Sequence, residues 1–124
     1  MRQSASMIPT VASAAVLMGT LAIMPATTSA AEEMTVIEQG KELAYDRKLG
    51  NCLACHQVGE GSLPGNIGPP LVAMKARFPD RAKLRAQIWD STASNPNSIM
   101  PPFGKYKIVS EDDIDKIVEY IYTL

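Results

Sequence analysis

The run Cys52-Leu53-Ala54-Cys55-His56 limits what this chain can become more than any other stretch of its 124 residues. It holds the only two cysteines and the only histidine. Two thiols three positions apart can add across the two vinyl groups of a haem, and the imidazole that follows is then placed to bind the iron from the proximal side. A Cys-x-x-Cys pair alone would also suit a thiol redox site or half of a zinc site. Neither alternative, nor a simple disulfide, gives the adjacent histidine a role, so the motif predicts covalently attached haem c.

The start of the chain reads as an export signal. Arg2 is the only charge in the first 31 residues, an apolar stretch covers residues 11–23, and Thr28, Ser29 and Ala30 are small residues of the kind a signal peptidase inspects. The spacing predicts a signal peptide over residues 1–30, cut after Ala30 or nearly as well after Ala31, and a single domain over residues 31–124. A retained membrane anchor fits less well. The apolar run falls short of the roughly 20 residues that span a bilayer, and Thr20, Pro25 and the Thr27-Thr28-Ser29 tail also argue against a retained helix. Attachment of haem to this motif takes place outside the cytoplasm, so export to the periplasm is something the haem reading requires.

A domain this short buries a modest share of its surface, and an attached apolar macrocycle would supply much of the missing core. Twelve basic residues against 13 acidic ones give a net charge of −1, which offers no support for nucleic-acid binding.

Residues 31–35 are polar and read as a frayed start. A helical pattern follows, with Val36, Ile37, Gly40, Leu43, Ala44 and Arg47 at spacings of three and four, and Gly50 closing it. Gly40 costs about 1 kcal/mol inside a helix, so it is either tolerated or required by close packing against another element. Residues 57–70 carry four glycines and three prolines and form a loop. Its end, Gly68-Pro69-Pro70-Leu71, places a stiff proline carbonyl where it could accept from the far nitrogen of a proximal histidine; an ordinary proline turn is the alternative.

A short helix is predicted over residues 71–77, with Leu71, Met74 and Phe78 on one side, and Pro79 ends it. Asp80 caps a second helix carrying Leu84, Ile88 and Trp89. The Trp89 indole N–H could meet a haem propionate or a backbone acceptor in the core. Lys75, Arg77, Arg81, Lys83 and Arg85 form either a solvated face or a docking patch for an electron partner.

The polar residues 91–98 lead into Met100-Pro101-Pro102-Phe103-Gly104. Two prolines keep Met100 out of a helix and stiffen the segment that follows, so this strap could hold a thioether against iron at small ordering cost. Of the methionines beyond the signal, Met34 lies in the frayed start and Met74 reads as core filler. Met100 is therefore the candidate distal ligand, with lysine or water as the fallback. The last helix is the clearest. Ser110 and Asp113 fit a capping box, acidic residues fill the first turn, and Ile114, Ile117, Val118 and Ile121 form its apolar stripe, long enough to cross the first helix at Gly40.

Taken in this order, the elements resemble a class I cytochrome c. The resemblance implies an all-α fold with the terminal helices crossed around one covalent haem c. It also implies thioethers to Cys52 and Cys55, axial ligation by His56 and Met100, and the Pro69 carbonyl accepting from His56. More specifically, Gly65-Asn66-Ile67-Gly68-Pro69-Pro70-Leu71-Val72-Ala73-Met74-Lys75, Leu84-Arg85-Ala86-Gln87-Ile88-Trp89-Asp90, Met100-Pro101-Pro102-Phe103-Gly104 and Ile121-Tyr122-Thr123-Leu124 resemble the SoxX family of monohaem cytochromes.

That family implies a periplasmic heterodimer with a SoxA-type cytochrome. The pair conjugates thiosulfate oxidatively to a cysteine of the SoxYZ carrier, an L-cysteine S-thiosulfotransferase reaction. The sulfur chemistry falls to SoxA, and this chain takes electrons and hands them to a downstream acceptor. The residues agree with that division of labour. With both thiols and the imidazole committed to haem, no thiol and base remain for group transfer, so no catalytic residue is expected. Three readings compete with this one: a freely diffusing cytochrome c without a fixed partner, a thiol redox protein in which Cys52 and Cys55 cycle, and a sensor or gas-binding cytochrome, which requires an open iron position.

Overall fold

The structure is a computed structural model that describes residues 34–124. The predicted signal peptide and its cleavage site lie outside the described residues. Four α-helices are present among them: α1 (Val36–Tyr45), α2 (Met74–Arg77), α3 (Arg81–Trp89) and α4 (Glu111–Ile121). Short 3-10 turns occupy Cys52–Ala54 and Ser91–Ala93. The described residues contain no strand, only an isolated parallel bridge between Val58 and Leu71. None of the described helices is long and apolar enough to cross a membrane.

The two terminal helices cross at Gly40. A Cβ at this position would overlap the backbone carbonyl of Lys116 on α4, so the absence of a side chain is what lets the axes approach. Of the two explanations for this glycine, close packing is the one the fold uses. Ala44 follows one turn later on the same buried face, and Ile114, Ile117, Val118 and Ile121 meet it from α4 as the stripe predicts. Tyr120 joins them in the core. Val36, Ile37 and Arg47 differ from expectation and are exposed: the first two precede the crossing point where the buried face of α1 begins, and Arg47 lies beyond the end of α1.

The helix ends also differ from the sequence reading. Residue 35 is fastened rather than frayed. Thr35 Oγ1 accepts from the Glu38 N–H at 3.2 Å and the Glu38 carboxylate accepts from the Thr35 N–H at 2.8 Å, a reciprocal capping box that holds the Glu38 carboxyl below its ordinary range. Helix α1 stops at Tyr45, not at Gly50. The Asp46 carboxylate accepts from the Lys48 N–H at 2.7 Å, a local turn that competes with the helix. The chain then folds back, with the Gly50 N–H on the Leu43 carbonyl.

At α4 only half of the expected capping box forms. Ser110 accepts from the Asp113 N–H, but the Asp113 carboxylate takes the Ser110 hydroxyl and the Lys116 ammonium instead of the Ser110 N–H. Helix α2 is shorter than predicted and begins at Met74, because Ala73 before it takes up the left-handed region at φ 51° and cannot continue a right-handed helix.

Helix α3 starts as expected, with the Asp80 carboxylate accepting from Ala82 N–H, and it buries Leu84 and Ile88. Of the basic residues around it, Lys75, Arg77, Arg81 and Lys83 are exposed, and Arg81 and Arg85 are also ion-paired. Arg81 Nε donates to Glu119 at 2.8 Å, and Arg85 pairs with Asp115 at 2.8 Å and Glu111 at 3.2 Å, so both clamp α3 onto α4. Such half-exposed pairs each contribute a fraction of a kcal/mol and act mainly on orientation. The C-terminus is tied in as well, with the Met74 N–H on the Leu124 carbonyl at 2.9 Å and the Tyr122 hydroxyl on the Phe78 carbonyl at 2.7 Å.

Replacing Gly40 with alanine tests the crossing. At an exposed helical position this change would stabilise by about 1 kcal/mol. Against the Lys116 carbonyl it should cost about 1–3 kcal/mol in chemical unfolding of the holoprotein, and a gain in stability would mean the helices do not meet there.

Candidate haem site

The site is built where α1 has turned back on itself. Asn51 takes up the left-handed region at φ 46°, and the next residues close a tight turn in which the His56 N–H reaches the Cys52 carbonyl at 2.9 Å. No disulfide joins the two cysteines of this turn.

The glycine-rich loop wraps the turn. The Gly65 N–H donates to the Leu53 carbonyl and the Gly68 N–H to the Cys55 carbonyl, each at 2.8 Å. The backbone of Gly68 lies directly against the His56 ring, where any Cβ would overlap the imidazole. Beyond it, His56 Nδ1 sits 2.7 Å from the Pro69 carbonyl. A carbonyl can only accept, so Nδ1 carries the proton and Nε2 is left with its lone pair. The next peptide is held by Arg77, whose guanidinium donates to the Pro70 carbonyl at 2.6 Å. Cys52, Cys55, His56, Gly68 and Pro69 are thus brought into one cluster.

Met100 is held separately, by the strap. Pro102 and Phe103 are buried, and the Gly104 and Lys105 N–H groups both donate to the Trp89 carbonyl at the end of α3, at 3.2 and 3.3 Å. The Lys105 ammonium pairs with Asp90 at 2.7 Å, which, with the Thr92 hydroxyl, holds the Asp90 carboxyl below the usual carboxylate range. Met100 itself is partly buried and packs on the same core as Cys52 and Leu53. The other methionines are placed differently. Met34 is exposed, and Met74 is 1% exposed with its sulfur 3.6 Å from the Arg77 guanidinium. Trp89 packs on the backbone of Gly104 with the Arg85 guanidinium 5.4 Å above its ring.

Three contacts here were not anticipated from sequence. They are the Gly68 approach to the imidazole, the Arg77 bond to Pro70, and a pair of serines, Ser91 and Ser98, bonded to the backbone of Met100. The serines lie in a polar stretch that reads as a solvated linker, and only their closeness in sequence to Met100 could have pointed to them.

The donor set suits a haem better than a bare ion. Among the described residues no group of three or more His, Cys, Asp or Glu side chains converges as a metal site. Two cysteines that no disulfide joins, followed at once by an imidazole with Nε2 available, suit a covalently attached haem. Ile67 and Ile99, next in sequence to Gly68 and Met100, are 61% and 76% exposed.

Comparisons with known proteins agree with this chemistry. The sequence matches the family model for cytochrome c oxidase, cbb3-type, subunit III, over residues 35–121. No curated protein matches. Among solved structures, the chain is similar to a chain in the crystal structure of SoxXA from P. pantotrophus, with a TM-score of 0.62 and 27% identity, over 69% of this chain and 79% of that one. The fold is therefore the expected all-α class I cytochrome c fold, and the protein is a SoxX-like electron-transfer cytochrome carrying covalently bound haem c. Since the family match runs from the cap of α1 to the last residue of α4, the chain belongs to the cytochrome c oxidase, cbb3-type, subunit III family.

Proposed function

We propose that this chain is the electron-accepting subunit of a periplasmic SoxAX-type complex that conjugates thiosulfate to a cysteine of the SoxYZ carrier, an L-cysteine S-thiosulfotransferase. The observation that carries the proposal is the likeness to SoxXA at 27% identity over most of both chains. Within it, Cys52 and Cys55 supply the thioethers and His56 Nε2 the proximal ligand. The Pro69 carbonyl fixes the imidazole tautomer, and Met100 would hold the iron through its sulfur. When bound, the haem supplies one-electron redox chemistry.

The remaining residues favour transfer over catalysis. The Pro69 carbonyl, accepting from Nδ1, raises the basicity of the ligand nitrogen and keeps the ring from turning. Gly68 removes the space in which the imidazole could swing. A distal thioether both closes the iron to substrate and raises its reduction potential, which suits a group that accepts electrons. The partner proposed is a SoxA-type cytochrome, with electrons leaving to a downstream acceptor. Residues 1–30 serve as the export signal.

Two measurements bear on this. In Met100→Ala holoprotein the near-infrared sulfur-to-iron charge-transfer band should vanish while the haem stays attached; an unchanged band would move the ligand to Met34 or Met74. Purified from its own periplasm, the protein should co-elute with a larger haem-bearing chain, and elution as a lone monohaem protein would favour the diffusing carrier.

A further inference from the structure

Ser91 is the one buried polar side chain among the described residues, with 0% exposure, and nothing in electron transfer calls for a hydroxyl there. Its surroundings explain it. Ser91 Oγ lies 2.9 Å from the Met100 carbonyl, Ser98 Oγ lies 2.8 Å from Ser91 Oγ, and the Met100 N–H lies 3.3 Å from Ser98 Oγ. The carbonyl can only accept and the amide can only donate, so both hydroxyl protons have determined directions. Ser91 donates to the Met100 carbonyl, Ser98 donates to Ser91, and Met100 N–H donates to Ser98. The result is a closed ring of three hydrogen bonds that begins and ends on one residue.

We propose that Ser91 and Ser98 are positioning residues that fix the Met100 backbone so that its thioether is held ready for the iron. The proposal rests on the reading of Met100 as distal ligand and extends it to the residues behind it. Pro101 and Pro102 have no N–H, so the strap lacks two of the donors with which a turn would ordinarily secure itself after Met100. The two hydroxyls supply the missing restraint from outside the strap.

Ser91 is itself well anchored. The Asp90 carboxylate accepts from the Thr92 N–H at 3.0 Å and starts the 3-10 turn, and the Asn95 N–H returns to the Ser91 carbonyl at 3.1 Å. Because both peptide groups flanking the Met100 Cα are held before any ligand bond forms, ligation costs little further ordering entropy.

The test uses purified ferric holoprotein titrated with imidazole, which competes for the distal position, and follows loss of the sulfur-to-iron charge-transfer band. Ser91→Ala and Ser98→Ala should each lower the imidazole concentration that removes half of the band by about tenfold, the effect of one buried hydrogen bond left unmade. Ser98→Thr keeps the hydroxyl at a half-buried position and should restore the wild-type value. Ser98→Ala carries the test if Ser91→Ala fails to accumulate. Wild-type competition in both alanine variants overturns the proposal even if their melting temperatures fall, since that is what a merely structural hydroxyl would do. A wild-type protein without the band overturns the reading of Met100 as well; a wild-type band with unchanged competition overturns only the role of the serines.

Discussion

The hydrogen bond from His56 Nδ1 to the Pro69 carbonyl is the contact on which the arrangement of the site depends. A histidine that only follows two cysteines in sequence could turn its ring in many directions and present either nitrogen. Here one nitrogen is occupied by a proline carbonyl, the ring face is closed by the backbone of Gly68, and Nε2 is the nitrogen that remains. The glycine-rich loop is shaped around this requirement. Its bonds at Gly65 and Gly68 return to the carbonyls of Leu53 and Cys55, so the motif and the loop that braces it form one unit. Arg77 extends the brace to α2 by holding the Pro70 carbonyl.

The Met100 strap is restrained by other means. The strap from Met100 to Lys105 is tied to the end of α3 at both of its ends, through Ser91 and Ser98 at Met100 and through the Trp89 carbonyl and Asp90 at Gly104 and Lys105. Helix α3 is in turn clamped to α4 by Arg81 and Arg85, and α4 crosses α1 at Gly40. The His56 side and the Met100 side are therefore referred to the same packed helices, α1 and α4. Rigid positioning of both sides suits a site that exchanges electrons without rearranging its ligands.

The parts legible in the sequence were those whose chemistry is unusual. Cys52, Cys55 and His56 have few combined uses, so haem c followed from them before any fold was known. Gly40 was legible as a choice between two explanations, and the stripe of α4 supplied the element that decided it. What the sequence left hidden has a common physical cause. The Thr35 cap and the Asp46 turn that ends α1 early are local competitions between side-chain and backbone partners, too close in energy for periodicity to resolve, and the left-handed Ala73 that shortens α2 carries no sign in its residue type. The pairing of Arg81 and Arg85 with α4 joins residues far apart in the chain, where a basic helix face alone carries no sign of its partner. Ser91 was the hardest to see. A serine in a polar run is ordinarily exposed, and its burial depends on the strap passing over it.

The central claim is that one haem is joined to this chain through Cys52 and Cys55. Its most direct test is the intact mass of the exported protein, made in a cell that has the attachment machinery, taken together with its visible spectrum after denaturation in alkaline pyridine. The account predicts the peptide mass of residues 31–124 or 32–124 plus one haem, with the spectrum of a haem whose two vinyl groups are saturated. A colourless protein of peptide mass alone would contradict it.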